Sequence, residues 1–367
     1  MGMKFLRSGA SATEAVEAAL RVLEDKEITN AGYGSNLSIE GTVECDATIV
    51  DYLGRSGACG AAPNVRNPIC LAKLILDKSN QPLTLRRVPP NILVGAGAKG
   101  FASEHGMQTV PNDSLISKNA RDRFLRWQDD LLRAEEKLKQ DESCRAQGVS
   151  ASVTDVAACL QYETGSNVAS DQTRAGNSQQ RDHANAILTA IDDAGHIAAG
   201  SSSGGIGMKH CGRLGPAALV GIGTAVVPSD PSDPEGISVA TVTSGTGEHM
   251  ATTMASQRCA ERIYSGTRRG VHGRDVQEDD EDLIMESFIT NDFMGHPGVR
   301  NCNSVGAIGV MTVKKTRAGY YLYFAHNTDS FALASMGGAD KEPQCVMSRL
   351  GNTEQVTRGA RKISVGG

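Results

Sequence analysis

Four short loops rich in glycine and small hydroxyls hold the residues best suited to chemistry: GYGSN (32–36), SSSGG (201–205), CGRLG (211–215) and SGTGE (244–248). Each stands at the end of a strand-like run. Glycine lets backbone N–H groups approach a ligand, and a helix starting after SGTGE turns its positive end toward an anion. Arg213, flanked by glycines, has the forked geometry that grips a carboxylate with two hydrogen bonds. Nearby serines can steady a hydroxyl nucleophile or an oxyanion. Together these groups suit acyl transfer on a substrate bearing a carboxylate; singly, each loop is a tight turn. Other chemistries find no support. There is no H-E-x-x-H, P-loop or G-x-S-x-G, and VGAGAKG lacks an acidic ribose partner at dinucleotide spacing. No residue cluster implies a metal or organic cofactor.

The elements that must position these loops are legible in the patterning. Ser11-Ala12-Thr13-Glu14 is a capping box before a helix with Ala15, Ala19, Leu20 and Leu23 on one face. Asn67-Pro68 repeats the signal, Asn as cap and Pro at the first helical position, ahead of the packed stripe 69–76. Residues 30–51 start glycine-rich and alternate into two strand-like runs, and 92–106 read as short strand, glycine turn and helix. A charged helical arm over 117–141 carries Phe124, Trp127, Leu131, Ala134 and Leu138 three and four apart, a seam that packs back on its own domain. Residues 142–182 are polar and poor in aromatics, the composition of a flexible linker. A hairpin follows, Ala186–Ile191 and Ile197–Gly200 about a turn at Asp192–Gly195. After it come the strand-like run 216–228, a strand passing through SGTGE into a helix, and a late hairpin over 305–327. The acidic run Glu278–Asp282 and the basic run Lys118–Arg126 read as solvated helix faces.

The 367 residues, 40% apolar, suffice for a large core, and a net charge of −5 argues against nucleic acid as the main partner. No apolar run approaches the roughly 18 residues that span a bilayer, and the opening stretch lacks a signal-peptide apolar region. Gly2 is not followed by the hydroxyl that N-myristoylation wants; Leu6 stands there. Nine scattered cysteines without a C-x-x-C pair fit reduced thiols in an intracellular protein, of cytoplasm or nucleus.

In order along the chain, NAGYGSN, ECDATIVD, GACGAAPNVRNPICLAKLIL, GHIAAGSSSGGIGMKHCGRLGPAAL and TVTSGTGEHM resemble the asparaginase-like N-terminal-nucleophile hydrolases, and within them the threonine aspartase (taspase) branch of fungal type. The likeness covers nearly the whole chain. It implies an α+β fold, a four-layer αββα sandwich. It also implies a precursor that cuts itself before a threonine, whose new α-amine then takes the proton of its own hydroxyl. An α-amine titrates near about 7.7–8, so it can do this at neutral pH. On this likeness residues 1–184 are an alpha-subunit-like region and 185–367 a beta-subunit-like region of one domain. Two features favour the taspase branch over asparaginases: the long helix and linker at 117–182, and Pro216, where the amide hydrolases carry an aspartate for the substrate's α-amine. The implied activity is threonine-type endopeptidase cleavage after Asp in a protein or peptide substrate, by a homo-oligomer (a dimer of processed units) that needs no cofactor, nucleic acid or membrane.

Carried over by motif, Ser203 matches the second hydroxyl that orients the nucleophile, and Arg213 the arginine that holds the carboxylate. Ser244, Gly245 and Gly247 match the loop of carboxylate and oxyanion contacts, and Asn36 an asparagine beside the nucleophile. Asp46 and Asp51 look structural, with Asp46 within reach of the site, and the glycines of SSSGG leave room for a peptide. The match breaks at the attacker. The family's nucleophile strand begins Asp-Thr-Val-Gly, with its threonine 18 residues before the position of Ser203; here that residue is Asn185, after Ala184. Thr189 lies inside the strand, where β-propensity explains it, and a shift of register breaks the agreement of hairpin and serines. The family's opening H-A-G-A-G strand is also missing. Both absences fall at abrupt joins in strong matches. That favours coding sequence omitted from a gene prediction over an inactive paralogue kept for binding, and either over an enzyme with an unusual nucleophile. The chain as written is expected not to cleave itself. The alternatives are an L-asparaginase or isoaspartyl peptidase, a β-aspartyl amide hydrolase, and a non-catalytic peptide-binding pseudoenzyme.

Overall fold

Cys45–Val50 is a nearly unbroken run of small and apolar residues, and such a run is stable only when covered on both faces. It forms β1 (Glu44–Val50), the middle of a five-stranded sheet with β2 (Ser56–Pro63), β3 (Ile92–Val94), β4 (Ala186–Ile191) and β5 (Ile197–Ser203). The order is β3-β2-β1-β5-β4, antiparallel throughout except for the parallel pair β2–β3. A second sheet stacks on it: β6 (Thr224–Val227), β7 (Ser238–Gly245), β10 (Ile308–Thr316), β11 (Gly319–His326) and β14 (Thr357–Ile363), in the order β14-β11-β10-β7-β6. Small hairpins β8–β9 (Thr267–Arg269, Asp275–Gln277) and β12–β13 (Ser330–Ser335, Gln344–Arg349) lie outside both sheets. The computed structural model describes residues 1–146, 185–352 and 354–364.

Helices α1 (Gly2–Leu6), α2 (Ala12–Glu24), α3 (Pro68–Ser79) and α4 (Gly95–Glu104) belong to the first sheet's outer side; α5 (Lys118–Ala146) is the long arm. The second sheet is covered by α6 (Gly247–Thr253), α7 (Ala255–Ser265) and α8 (Glu281–Ser287), which continues into a π-helical turn to Phe293. The core has three layers. Leu20, Ile69 and Ile75 pack between helices and first sheet; Ile197, Ala240 and Val242 between the sheets; Met250, Ile263 and Phe288 beneath the second sheet. Each of the larger side chains among them contributes about 1.5–3 kcal/mol over an exposed one. The four-layer αββα architecture is as expected.

Strand alternation aims the small hydroxyls. On β5, Ile197 and Ala199 face the second sheet, so Ser203 faces it too, while Ser202 points into the helical layer. On β7, Ala240 and Val242 face inward, which puts Ser244 on the same side. Asn185 shares a side with Ile187 and Ile191, again the inter-sheet layer.

Several expectations need correction. The arm is helical through Ala146, so the first five residues of the expected linker 142–182 continue it; 147–182 lie outside the described residues. Its seam packs only at the start. Phe124 lies against Gly41 and Trp127 against Gly207, whereas Leu131 and Leu138 are exposed, because the helix runs past the body it leans on. In 30–51 only β1 is a strand; the stretch before it turns through a short 3-10 helix (Gly32–Gly34). In 216–228 a 3-10 turn (Pro216–Ala218) precedes the strand β6. Asn67 precedes α3 but its side chain does not cap it; the buried Glu24 Oε1 takes the Ile69 N–H instead, at 2.9 Å. The acidic run 278–282 is a turn into a helix start, with Asp280 capping Asp282 and Leu283. The expected gap in the first sheet has a counterpart: β4 pairs with β5 on one side, and among the described residues no strand lies along its other edge.

Candidate active site

Asn185 sits where the two sheets meet at the start of β4, and both ends of its amide are held. Ser203 Oγ donates to Asn185 Oδ1 at 2.7 Å, and Asn185 Nδ2 donates to Ser244 Oγ at 3.2 Å. Ser203 Oγ also accepts the Gly205 N–H at 2.9 Å, which fixes its lone pair and aims its proton at position 185. A second tier of amides stands behind. Asn30 Nδ2 donates to the Gly205 carbonyl at 2.7 Å and reaches Asn185 Oδ1 at 3.4 Å. Asn36 Nδ2 donates to the same carbonyl at 3.1 Å, and its backbone N–H donates to Asn30 Oδ1 at 3.0 Å. The network joins both sheets and the 30–36 loop, and the side chain at its centre is an amide with no hydroxyl.

The glycines of SSSGG make room for the protein's own groups, not for a peptide as expected. A Cβ on Gly204 would meet Ser35 Cβ at 2.4 Å and Asn30 Oδ1 at 2.8 Å. One on Gly205, at φ +72°, would meet Arg213 Nη1 and Lys209 Nζ, each at 3.3 Å. The Arg213 guanidinium is enclosed by glycines: added Cβ atoms on Gly215 and Gly247 would lie 3.4 and 3.0 Å from it. Beneath it, the fully buried Asp46 accepts the Ala61 N–H at 2.8 Å and the Gly215 N–H at 2.7 Å, tying β1 to β2 and to the arginine loop. Burial raises the Asp46 pKa above the ordinary carboxylate value; Lys209, Arg213 and those two N–H bonds restrain the rise. Lys209, also buried, donates to the Glu44 carbonyl at 2.7 Å. Asp51 is structural as expected, holding the β1–β2 turn through the N–H groups of Leu53 and Arg55.

Behind β5, Ser202 Oγ donates at 2.7 Å to Glu24 Oε1. Glu24 is wholly buried, its Oε2 has no partner, and burial pushes its carboxyl up to about 8. Across the site, Thr246 N–H donates to the Ala307 carbonyl (2.8 Å) and Thr246 Oγ1 to the Val305 carbonyl (2.9 Å), anchoring the 302–307 loop beside α6. There the exposed Cys302 thiol is held down to about 6 by hydrogen bonds to the Ser304 hydroxyl and backbone.

The chain from residue 1 to residue 316 matches the family profile described as Asparaginase (type 2). The chain belongs to this asparaginase family, whose members are N-terminal-nucleophile hydrolases. It is 34% identical to the Xenopus laevis isoaspartyl peptidase/L-asparaginase over 223 residues, 60% of this chain and 56% of that protein. It is 30% identical to the Homo sapiens isoaspartyl peptidase/L-asparaginase, over 61% of this chain and 56% of that one. With the Salmonella typhimurium isoaspartyl peptidase it shares 29% identity over 288 residues, 78% of this chain and 74% of the other. The chain thus spans little more than half the length of most of these curated relatives. They carry the names of the amide hydrolases rather than of the taspase branch.

Of the residues singled out in this asparaginase-family sequence, Asn185, Ser203, Ser244 and Asn36 meet in one network. Arg213 and Gly247 meet in another, while Gly245 pairs with Ile308 at the end of β7. Among the described residues no group of His, Cys, Asp and Glu has the arrangement of a metal centre, and no helix is long and apolar enough to cross a membrane. Asn30 and Glu248 were missed. Asn30 opens NAGYGSN and its amide was available as a signal; Glu248, a charged residue at a helix start, reads by itself as a macrodipole partner.

Proposed function

We propose that this chain is an asparaginase-family protein with a site for an aspartyl carboxylate of a peptide, of threonine-aspartase type, and that as written it neither cleaves itself nor hydrolyses its ligand. One observation carries the reading: the side chain at the nucleophile position is an amide with both ends hydrogen-bonded. Asn185 has no hydroxyl to deprotonate. Self-cleavage before it would require an attack that its amide cannot make, so no new α-amine arises to serve as base. Ser203 points its proton at position 185 and its lone pair at the Gly205 N–H, which suits an orienting hydroxyl and not an attacker. Arg213 supplies the carboxylate site. Pro216, with no side-chain acceptor for an α-amine, supports an internal aspartyl residue over a free amino acid.

Incubation of the purified chain followed by a denaturing gel is expected to give one band, and two fragments joined at 184–185 would overturn the reading. A second reading, isoaspartyl peptidase or L-asparaginase activity, is supported by the relatives' names. Release of ammonia from L-asparagine, or of amino acid from a β-aspartyl dipeptide, separates it from the first; neither is expected.

A further inference from the structure

Arg213 is occupied. Its Nε and Nη2 both donate to Glu248 Oε1, at 3.0 and 2.6 Å, so the forked edge of the guanidinium already holds a carboxylate oxygen. The two partners are held very differently. Arg213 has 16% of its side chain exposed and is packed closely among Gly205, Gly215 and Gly247, while Glu248 has 64% exposed. Among the described residues the only donors on the Glu248 carboxylate are Arg213 and its own backbone N–H. A residue that positions another must itself be anchored elsewhere, and Glu248 is not. Its side chain, largely exposed, can swing into solvent.

We infer that Glu248 is an intramolecular stand-in for the ligand's carboxylate, seated on Arg213 while the site is empty and displaced when an aspartyl side chain enters. It sets a threshold for binding. A carboxylate that reaches the same fork replaces it, whereas a neutral carboxamide has no charge for Arg213 to hold. Any ligand that takes the fork must first displace it, so Glu248 weakens aspartyl and asparaginyl ligands by the same factor, and the choice between them stays with Arg213. The inference rests on the assignment of Arg213 as carboxylate holder, and the experiment separates the two.

The probe is N-acetyl-L-aspartyl amide, titrated by calorimetry into the full chain, with N-acetyl-L-asparaginyl amide as the neutral control. Glu248→Gln and Glu248→Asp, the second too short to span the gap, are each expected to bind the aspartyl probe about two- to five-fold more tightly. Arg213→Ala and Arg213→Gln are expected to abolish that binding in either background, with urea midpoints confirming that each variant is folded. Unchanged or weaker binding by both Glu248 variants, with Arg213 still essential, would overturn the stand-in and leave the carboxylate site intact. Binding indifferent to Arg213, or absent from every variant, would overturn the carboxylate site and the stand-in with it.

Discussion

The site has two poles, and they are built differently. The carboxylate pole rests on many weakly specific contacts: three glycines around Arg213, the buried Asp46 that fastens Gly215, and Lys209 on the Glu44 carbonyl. The pole at position 185, the nucleophile position we propose, groups Ser203, Ser244, Asn30 and Asn36 around a single side chain without a hydroxyl. Its strand, β4, is also paired on one side only among the described residues. The surroundings of Arg213 are spread over backbone and side chains from several elements, whereas position 185 is one side chain. Covalent catalysis depends on one oxygen atom.

Restoring that oxygen tests the contrast most severely. Ala184→Asp with Asn185→Thr is expected to turn a single band into two fragments on a denaturing gel. A folded double variant that stays whole would place the defect in the open edge of β4 and not in the missing hydroxyl. At the other pole, Asp46→Ala strands two buried N–H groups and leaves Lys209 without its buried counter-charge. A loss of about 3–5 kcal/mol is expected in urea unfolding, and a loss below about 1 kcal/mol would show that the pole does not hang on Asp46.

Glu24, which holds Ser202 behind the nucleophile pole, gives a pH signature. Its folded pKa of about 8 lies above the ordinary 4.5, so its contribution is fully present below about 4.5. That contribution is lost progressively as pH rises toward 8, on the order of a few kcal/mol in all. Glu24→Gln is expected to flatten unfolding stability over that window, and an equal slope in both proteins would remove Glu24 as its cause. The smallest effect lies beside α6. Cys302 is expected to be the fastest thiol to react with iodoacetamide, its rate rising with a midpoint near pH 6. Ser304→Ala should move that midpoint upward, and a midpoint near the ordinary 9 in both proteins would show that Ser304 does not lower it.

Much of the layering was legible because it follows local rules. The capping box at Ser11, Pro68 at the head of α3, and the hairpin about Asp192–Gly195 all appear where pattern put them. The helical arm was legible in its place and start but not in its far end or its contacts. A spacing of three and four says that Phe124, Trp127, Leu131 and Leu138 share a stripe, not how far another surface runs beneath it.

The same division holds for the site. Sequence by itself determined the membership of the small-residue loops, the absence of a hydroxyl at position 185 and the presence of an arginine among glycines, because these depend on residue identity and spacing. Tertiary structure alone decided what the glycines are for, that Glu24 caps a helix distant in sequence, and that Glu248 sits on Arg213. Those contacts join residues 35, 45 and 175 positions apart, and no local periodicity records which distant side chain will fill a given space.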